Sequence, residues 1–254
     1  MARETKRLVR VAMVSLGCAK NTVDAEIMLG ELAEDGGFAL APNPRDADVI
    51  VVNTCGFLES ARAEGRAVLG ELLARHPRAR VAAVGCWAER DAAALRREFP
   101  ALAAVWGFEA RGRLAERLTE LRADGFRLTA DGTTTDRIRQ PSIIIHTSEV
   151  PSAVSRQPSV YEGPRLLSTP SSYAYLRLSD GCDNRCAYCA IPLIRGPYRE
   201  RPTAAIVREA RTLTESGARE LVLVAQDTTR YGGRGGLARL LARKRGAVSG
   251  TAMS

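Results

Sequence analysis

The sequence predicts an α/β protein: an N-terminal doubly wound parallel sheet followed by the first part of an incomplete α/β barrel. Three observations predict it. Short apolar runs alternate with helically spaced segments over the first 125 residues. That rhythm stops in a stretch rich in Pro, Ser and Thr. A strand–loop–helix–strand pattern then resumes at Tyr173, as the opening unit of a parallel barrel would.

The elements follow in order. Leu8 to Leu16 is an apolar strand run. Thr22 to Asp35 has helical spacing, with Val23, Ile27 and Leu32 on one face. Val49 to Asn53 is continuously apolar, as a buried parallel strand is. Phe57 to His76 reads as a helix that Pro77 stops. Val81 to Val84 is a third strand, Ala88 to Phe99 a helix, Leu102 to Trp106 a fourth strand and Arg113 to Ala123 a last helix. Residues 1–126 are therefore expected to form one domain.

Residues 127–171 read as a linker. Pro141, Pro151, Pro158, Pro164 and Pro170 interrupt them, and only Ile143 to Ile145 offers a short strand. The second domain is expected over 172–236. It starts with an alternating strand from Tyr173, then a cysteine-rich loop, a helix from Thr203 to Ser216 that Gly217 ends, and a strand from Glu220 to Ala225. No third barrel strand is legible. Residues 237–254 form an atypical basic tail with a short helix over Leu237 to Lys244.

The net charge is +8, with 34 of the 37 basic residues Arg. A basic surface favours polyanions such as RNA or a ribosome, but the Arg residues are scattered rather than clustered, so composition alone identifies no partner. No stretch approaches the roughly 20 apolar residues of a membrane helix. Arg3, Lys6 and Arg7 precede an apolar run that ends at Cys18, a weak likeness to a lipoprotein leader; Arg10 interrupts it, and a first strand fits better. A cytoplasmic location without a membrane is expected. Six cysteines in such a chain point to metal or redox chemistry rather than disulfides.

The strongest signal is Asp180-Gly181-Cys182-Asp183-Asn184-Arg185-Cys186-Ala187-Tyr188-Cys189. Three thiolates spaced C-x3-C-x2-C can hold three irons of a four-iron cluster and leave the fourth open to a small-molecule chelator. A structural zinc would want a fourth ligand, and the only histidines are His76 and His146. Zinc or a simple thiol pair remains the alternative. Cys18, Cys55 and Cys86 follow the first three strands. In a doubly wound sheet those ends converge on the binding crevice, and Gly17, Gly56 and Gly85 flank them. They read either as a second iron–sulfur site or as three buried cysteines acting as small hydrophobes.

These residues resemble the methylthiotransferase family of radical S-adenosylmethionine enzymes over 8–126 and 165–231. The run from Ser15 to Asn21 with Asp24, Glu26, Met28 and Gly30 is similar to the branch that modifies ribosomal protein uS12. So are Val52 to Phe57 and the run from Gly181 to Pro202. Ala19 and Gly56 stand where the transfer-RNA adenosine branch has Gln and Ser. The resemblance implies two [4Fe-4S] clusters, on Cys182, Cys186 and Cys189 and on Cys18, Cys55 and Cys86, with S-adenosyl-L-methionine bound at the first. It implies a 5′-deoxyadenosyl radical that takes hydrogen from the β-carbon of a uS12 aspartate, after which sulfur from the second cluster is inserted and methylated. No residues beyond the cluster ligands are implied as catalytic. The expected partners are uS12 or the small ribosomal subunit, and an electron donor such as flavodoxin or ferredoxin.

The resemblance also places Tyr188 near the adenine, against ordinary barrel packing, and Gln226 and Asp227 near the amino group of S-adenosylmethionine, against a turn or helix cap. Asn53 lies near the second cluster or caps a helix, and Asn21 is expected to cap. The family's remaining barrel strands and its C-terminal β-barrel are not legible after Tyr231, so the chain reads as C-terminally truncated. A transfer-RNA methylthiotransferase, or an iron–sulfur-binding fragment without turnover, are the competing readings.

Overall fold

The computed structural model describes residues 7–123, 164–247 and 252–253. The chain divides into two units. One comprises the chain to Leu16 with Ile27–Arg165; the other comprises Gly17–Glu26 with Leu166–Ser254.

The first unit is built on five parallel strands: β1 (Val9–Ser15), β2 (Phe38–Leu40), β3 (Val49–Thr54), β4 (Arg80–Gly85) and β5 (Ala104–Val105), in the order β2-β1-β3-β4-β5. The central strands carry the longest apolar runs, and all six residues of β3 are buried. Helices flank the sheet: the second half of α1 (Ala19–Asp35), α2 (Glu59–Arg75), α3 (Cys86–Glu98) and α4 (Leu114–Ala123). Strand residues alternate between two cores. Val9, Val11, Val49 and Val51 pack with Met28, Leu32, Leu114 and Leu118 on one face. Ala12, Ile50, Val52, Val81 and Ala83 pack with Leu69, Leu72, Trp87 and Leu95 on the other. This is the doubly wound sheet that the alternating pattern predicts. The strand order reverses between β1 and β3, and crevices in open parallel sheets lie outside the carboxyl ends of strands at such a reversal. Cys55 and Cys86 directly follow β3 and β4, and Cys18 lies three residues beyond β1.

The second unit opens with β6 (Tyr173–Arg177) and the two-residue β7 (Ser179–Asp180). There follow α5 (Ile191–Arg195), β8 (Arg199–Glu200), α6 (Thr203–Glu215), β9 (Glu220–Val224), α7 (Gly236–Ala247) and β10 (Ala252–Met253). β6 and β9 pair in parallel from Tyr173↔Glu220 to Arg177↔Val224. Ala205, Ile206, Ala210 and Leu213 form the inner stripe of α6, which packs on Ala174, Leu176 and Leu221.

Several elements differ from the expectation. β2 was not legible, because three residues after Gly36-Gly37 give too short a pattern. The basic helix exists and runs further, over Gly236–Ala247. β10 pairs in parallel with β9 through Ala252↔Glu220 and Met253↔Leu221, a third strand of that sheet where none was expected. The proposed short strand at Ile143 to Ile145 lies outside the described residues. The end of the expected linker is not loose: Glu26 is fully buried, and its carboxylate accepts from the Ser168 amide at 2.8 Å and hydroxyl at 3.0 Å.

No described helix is long and apolar enough to cross a membrane.

Candidate functional site

All six cysteines are free thiols. Cys182, Cys186 and Cys189 lie on the loop that follows β7, at the carboxyl end of the β6–β7 segment. Cys182 is buried, Cys189 half-buried and Cys186 exposed.

The loop is held at its root. Gly181 has φ +74°, a left-handed conformation that glycine adopts without cost, and a Cβ there would stand 2.6 Å from the Gly196 carbonyl oxygen. The Cys182 amide donates to that same carbonyl at 3.1 Å, and the Cys189 amide donates to the Cys186 carbonyl at 3.0 Å. The middle of the loop is tied by polar side chains. Asp183 accepts from the Tyr198 amide at 2.8 Å and pairs with Arg230 at 2.8 Å. The Tyr198 amide, and then Arg230, hold the Asp183 carboxyl below its ordinary range. Arg230 also lies over the Tyr198 ring, 4.3 Å from its centroid.

Gln226 and Asp227 follow β9. Asp227 Oδ1 accepts from the Thr229 hydroxyl at 2.7 Å, the Thr229 amide at 3.1 Å and the Arg230 amide at 3.3 Å; Oδ2 accepts from the Asn184 side chain at 3.3 Å. The Thr229 hydroxyl is the largest of the influences that keep this carboxyl ionised to lower pH than usual. The turn-capping role weighed for Asp227 is therefore what the chain displays, and the same residue also reaches the cysteine loop. Gln226 Nε2 donates to Asp180 Oδ1 at 3.2 Å. Tyr188 is 87% exposed, so it is not packed in a barrel core.

Asn21 is not a cap. It sits inside α1, fully buried, and its Oδ1 accepts from Arg195 Nη2 at 2.8 Å. Arg195 also meets Asp24 at 2.9 Å and Asp180 at 3.2 Å, and Arg177 meets Asp24 at 2.8 Å. These residues all belong to the second unit. Sequence reasoning missed Arg177, Arg195 and Asp180 as partners because isolated charged residues read as solvated surface.

In the first unit, the strand register Thr54↔Gly85 brings Cys55 and Cys86 to neighbouring strand ends, both buried. Gly56 permits the approach, since a Cβ there would lie 2.7 Å from the Cys86 carbonyl oxygen and from the Trp87 amide nitrogen. Arg90 on α3 closes the corner by donating to the Gly56 carbonyl at 2.8 Å. Asn53 is fully buried just before this corner.

The donor sets fit iron–sulfur chemistry. Each triad offers free thiols on short segments after strands. Among the described residues, no three Cys, His, Asp or Glu converge closely enough to hold a metal ion. The loop of Cys182 therefore has the ligand number and spacing for a three-cysteine cluster, but not a closed metal cage.

Residues 10–107 match the model described as "Uncharacterized protein family UPF0004", and residues 176–252 match the "Radical SAM superfamily". A protein of Moorella thermoacetica named ribosomal protein uS12 methylthiotransferase RimO is 41% identical over 227 residues, or 89% of this chain and 46% of that protein. Its namesake from Desulforudis audaxviator is 44% identical over 226 residues, 88% of this chain and 45% of its own length. The chain thus spans about half the length of these curated relatives. Among solved structures, the radical S-adenosylmethionine methyltransferase TsrM of Kitasatospora setae, with cobalamin and a [4Fe-4S] cluster bound, superposes with a TM-score of 0.54 at 18% identity. That match covers 95% of this chain and 54% of the other, a likeness of fold.

Proposed function

Because the chain belongs to the methylthiotransferase family of radical S-adenosylmethionine enzymes, we propose that it serves the addition of a methylthio group to the β-carbon of an aspartate in ribosomal protein uS12. The observation that carries this reading is roughly 40% identity, through nine-tenths of the chain, to proteins named for that activity. The C-x3-C-x2-C loop after a parallel strand supports it.

On this reading Cys182, Cys186 and Cys189 are the ligands of the first [4Fe-4S] cluster, and Cys18, Cys55 and Cys86 those of a second. The first cluster, when bound, would supply one electron to the sulfonium of S-adenosylmethionine at the iron no cysteine holds. The chain's own residues do the rest of the positioning. Gly181 and the Gly196 carbonyl set the root of the loop. Asp183, Arg230, Asn184 and Asp227 fix its middle. Tyr188 offers an exposed ring to the adenine. Gln226 and Asp227 stand at the end of β9, where the amino group would be received. Cys55 and Cys86, buried at adjacent strand ends, sit in a water-poor corner suited to holding sulfur. The reducing partner is a flavodoxin or ferredoxin, and the working place is the cytoplasm beside the small ribosomal subunit.

The test is anaerobic reconstitution with iron and sulfide, followed by reduction with S-adenosylmethionine and uS12. The expected products are 5′-deoxyadenosine and uS12 heavier by one methylthio group on a single aspartate. Modified adenosine in transfer RNA with untouched uS12 would move the assignment to the transfer-RNA branch. Clusters without 5′-deoxyadenosine would leave an iron–sulfur-binding chain without turnover.

A further inference from the structure

The second unit contains a buried ionic network whose members stand next to cysteines of both triads. Asp24 lies six positions after Cys18 and is 1% exposed. Its two carboxylate oxygens are divided between two guanidinium groups, Oδ1 with Arg177 and Oδ2 with Arg195. Arg177 donates a further hydrogen bond to the Lys20 carbonyl, and Lys20 Nζ donates to the Ala225 carbonyl at 3.5 Å. Arg195 continues the chain of bonds to Asp180 Oδ1, which also accepts the Gly181 amide at 3.1 Å, one residue before Cys182. The residue after Arg195 contributes as well: the Gly196 carbonyl takes the Cys182 amide. Adjacent residues of one short segment therefore grip the helix start behind Cys18 and the loop root of Cys182.

Such a network is a costly way to add stability. Two charges withdrawn from water recover little over a well-packed apolar pair, and what they add is direction. A carboxylate with one guanidinium on each oxygen is fixed in position and in rotation about its own axis. A helix is stiff over six residues, so the constraint on Asp24 carries to Cys18.

We propose that Asp24 is a positioning residue that sets the separation between Cys18 and the Cys182 loop through Arg177 and Arg195. Its purpose rests on the reading that both triads carry clusters: sulfur leaving one would have to arrive where the radical forms. The spacing itself is measurable without iron.

The experiment uses the full chain with nitroxide labels on Cys18 and Cys186, both exposed, and the other four cysteines changed to Ser. Pulsed dipolar spectroscopy should give one narrow distance distribution. A broad distribution in this labelled chain, with Asp24, Arg177 and Arg195 intact, would overturn the proposal. Asp24→Asn, which has the same shape without the charge, should broaden or split the distribution at least twofold in width, with circular dichroism unchanged. Should that variant fail to fold, Asp24→Asn with Arg177→Met removes the stranded guanidinium while Arg195 keeps Asn21 and Asp180, and the same broadening is expected. A folded variant with the parent's narrow distance refutes the positioning role. Separately, iron analysis of the reconstituted parent, about eight against about four atoms per chain, decides whether both triads bind clusters, so failure of that reading is distinct from failure of the spacing.

Discussion

The side-chain amide of Asn184 donates to Asp227 Oδ2 at 3.3 Å, across 43 positions of sequence, and so joins the middle of the cysteine loop to the turn after β9. Asp227→Ala removes this tie together with the three bonds to Thr229 and Arg230. Hydrogen bonds to a charged group contribute about 1.5–3 kcal/mol, so S-adenosylmethionine should bind at least roughly tenfold more weakly. Asn184→Ala, which breaks only the tie, should cost less. Equilibrium dialysis against the reconstituted chain checks both; unchanged affinity in Asp227→Ala would remove the residue from the site.

Gly181→Ala forces a methyl group onto the backbone at Gly196 and Pro197 and places a side chain at φ +74°. Strain of about 1–3 kcal/mol is expected, confined to the loop root. The measurement is iron content after reconstitution: the loss should approach half of the parent's iron, while far-ultraviolet circular dichroism stays the same.

Glu31 reaches from α1 to the start of α4, where its Oε1 accepts the Ala115 amide at 3.0 Å. Burial raises its carboxyl above the ordinary 4.5 and outweighs the backbone bonds from Ala115 and Leu114 that lower it. The folded state therefore holds this proton more tightly than the unfolded chain does. Its contribution to stability is complete below pH 4.5 and fades as pH rises through the folded value. Glu31→Gln cannot ionise and still accepts a bond, so its Tm should fall less than the parent's as pH is raised from that point to neutrality. Parallel melting curves would count against the assignment.

Ile50 is fully buried in β3, the middle strand of the first sheet, opposite Ala12 on β1 and Val81 on β4. Ile50→Ala should cost about 2–5 kcal/mol and Ile50→Val about 0.5–1.5. Urea unfolding should show the loss in the transition that belongs to the first unit. An equal shift of both transitions would mean that the two units unfold together.

The elements that the sequence announces are those with strong local patterns. Val49 to Asn53 is continuously apolar and becomes β3; Pro77 and Gly217 close α2 and α6 where turn chemistry predicts. α5 and β8 escaped because Pro192, Gly196 and Pro197 break up any periodicity, although together they shape the cysteine loop. The C-x3-C-x2-C spacing is legible, and so is the placing of Cys55 and Cys86 at neighbouring strand ends. The partnership of Arg195 with Asp24, 171 positions away, is not. A charged residue's burial is decided by what reaches it in three dimensions, and no local pattern encodes that. Asn21 shows the same limit: next to a helix start it looks like a cap, yet its oxygen is taken by that distant Arg195.

The outer strands of the first sheet bear on how this domain behaves at high concentration. β2 has three residues and β5 two, so each margin offers little exposed ladder on which another chain could add a strand. Crowded copies would find few places to start a shared sheet, and strand-by-strand polymerisation of this domain would lack a template.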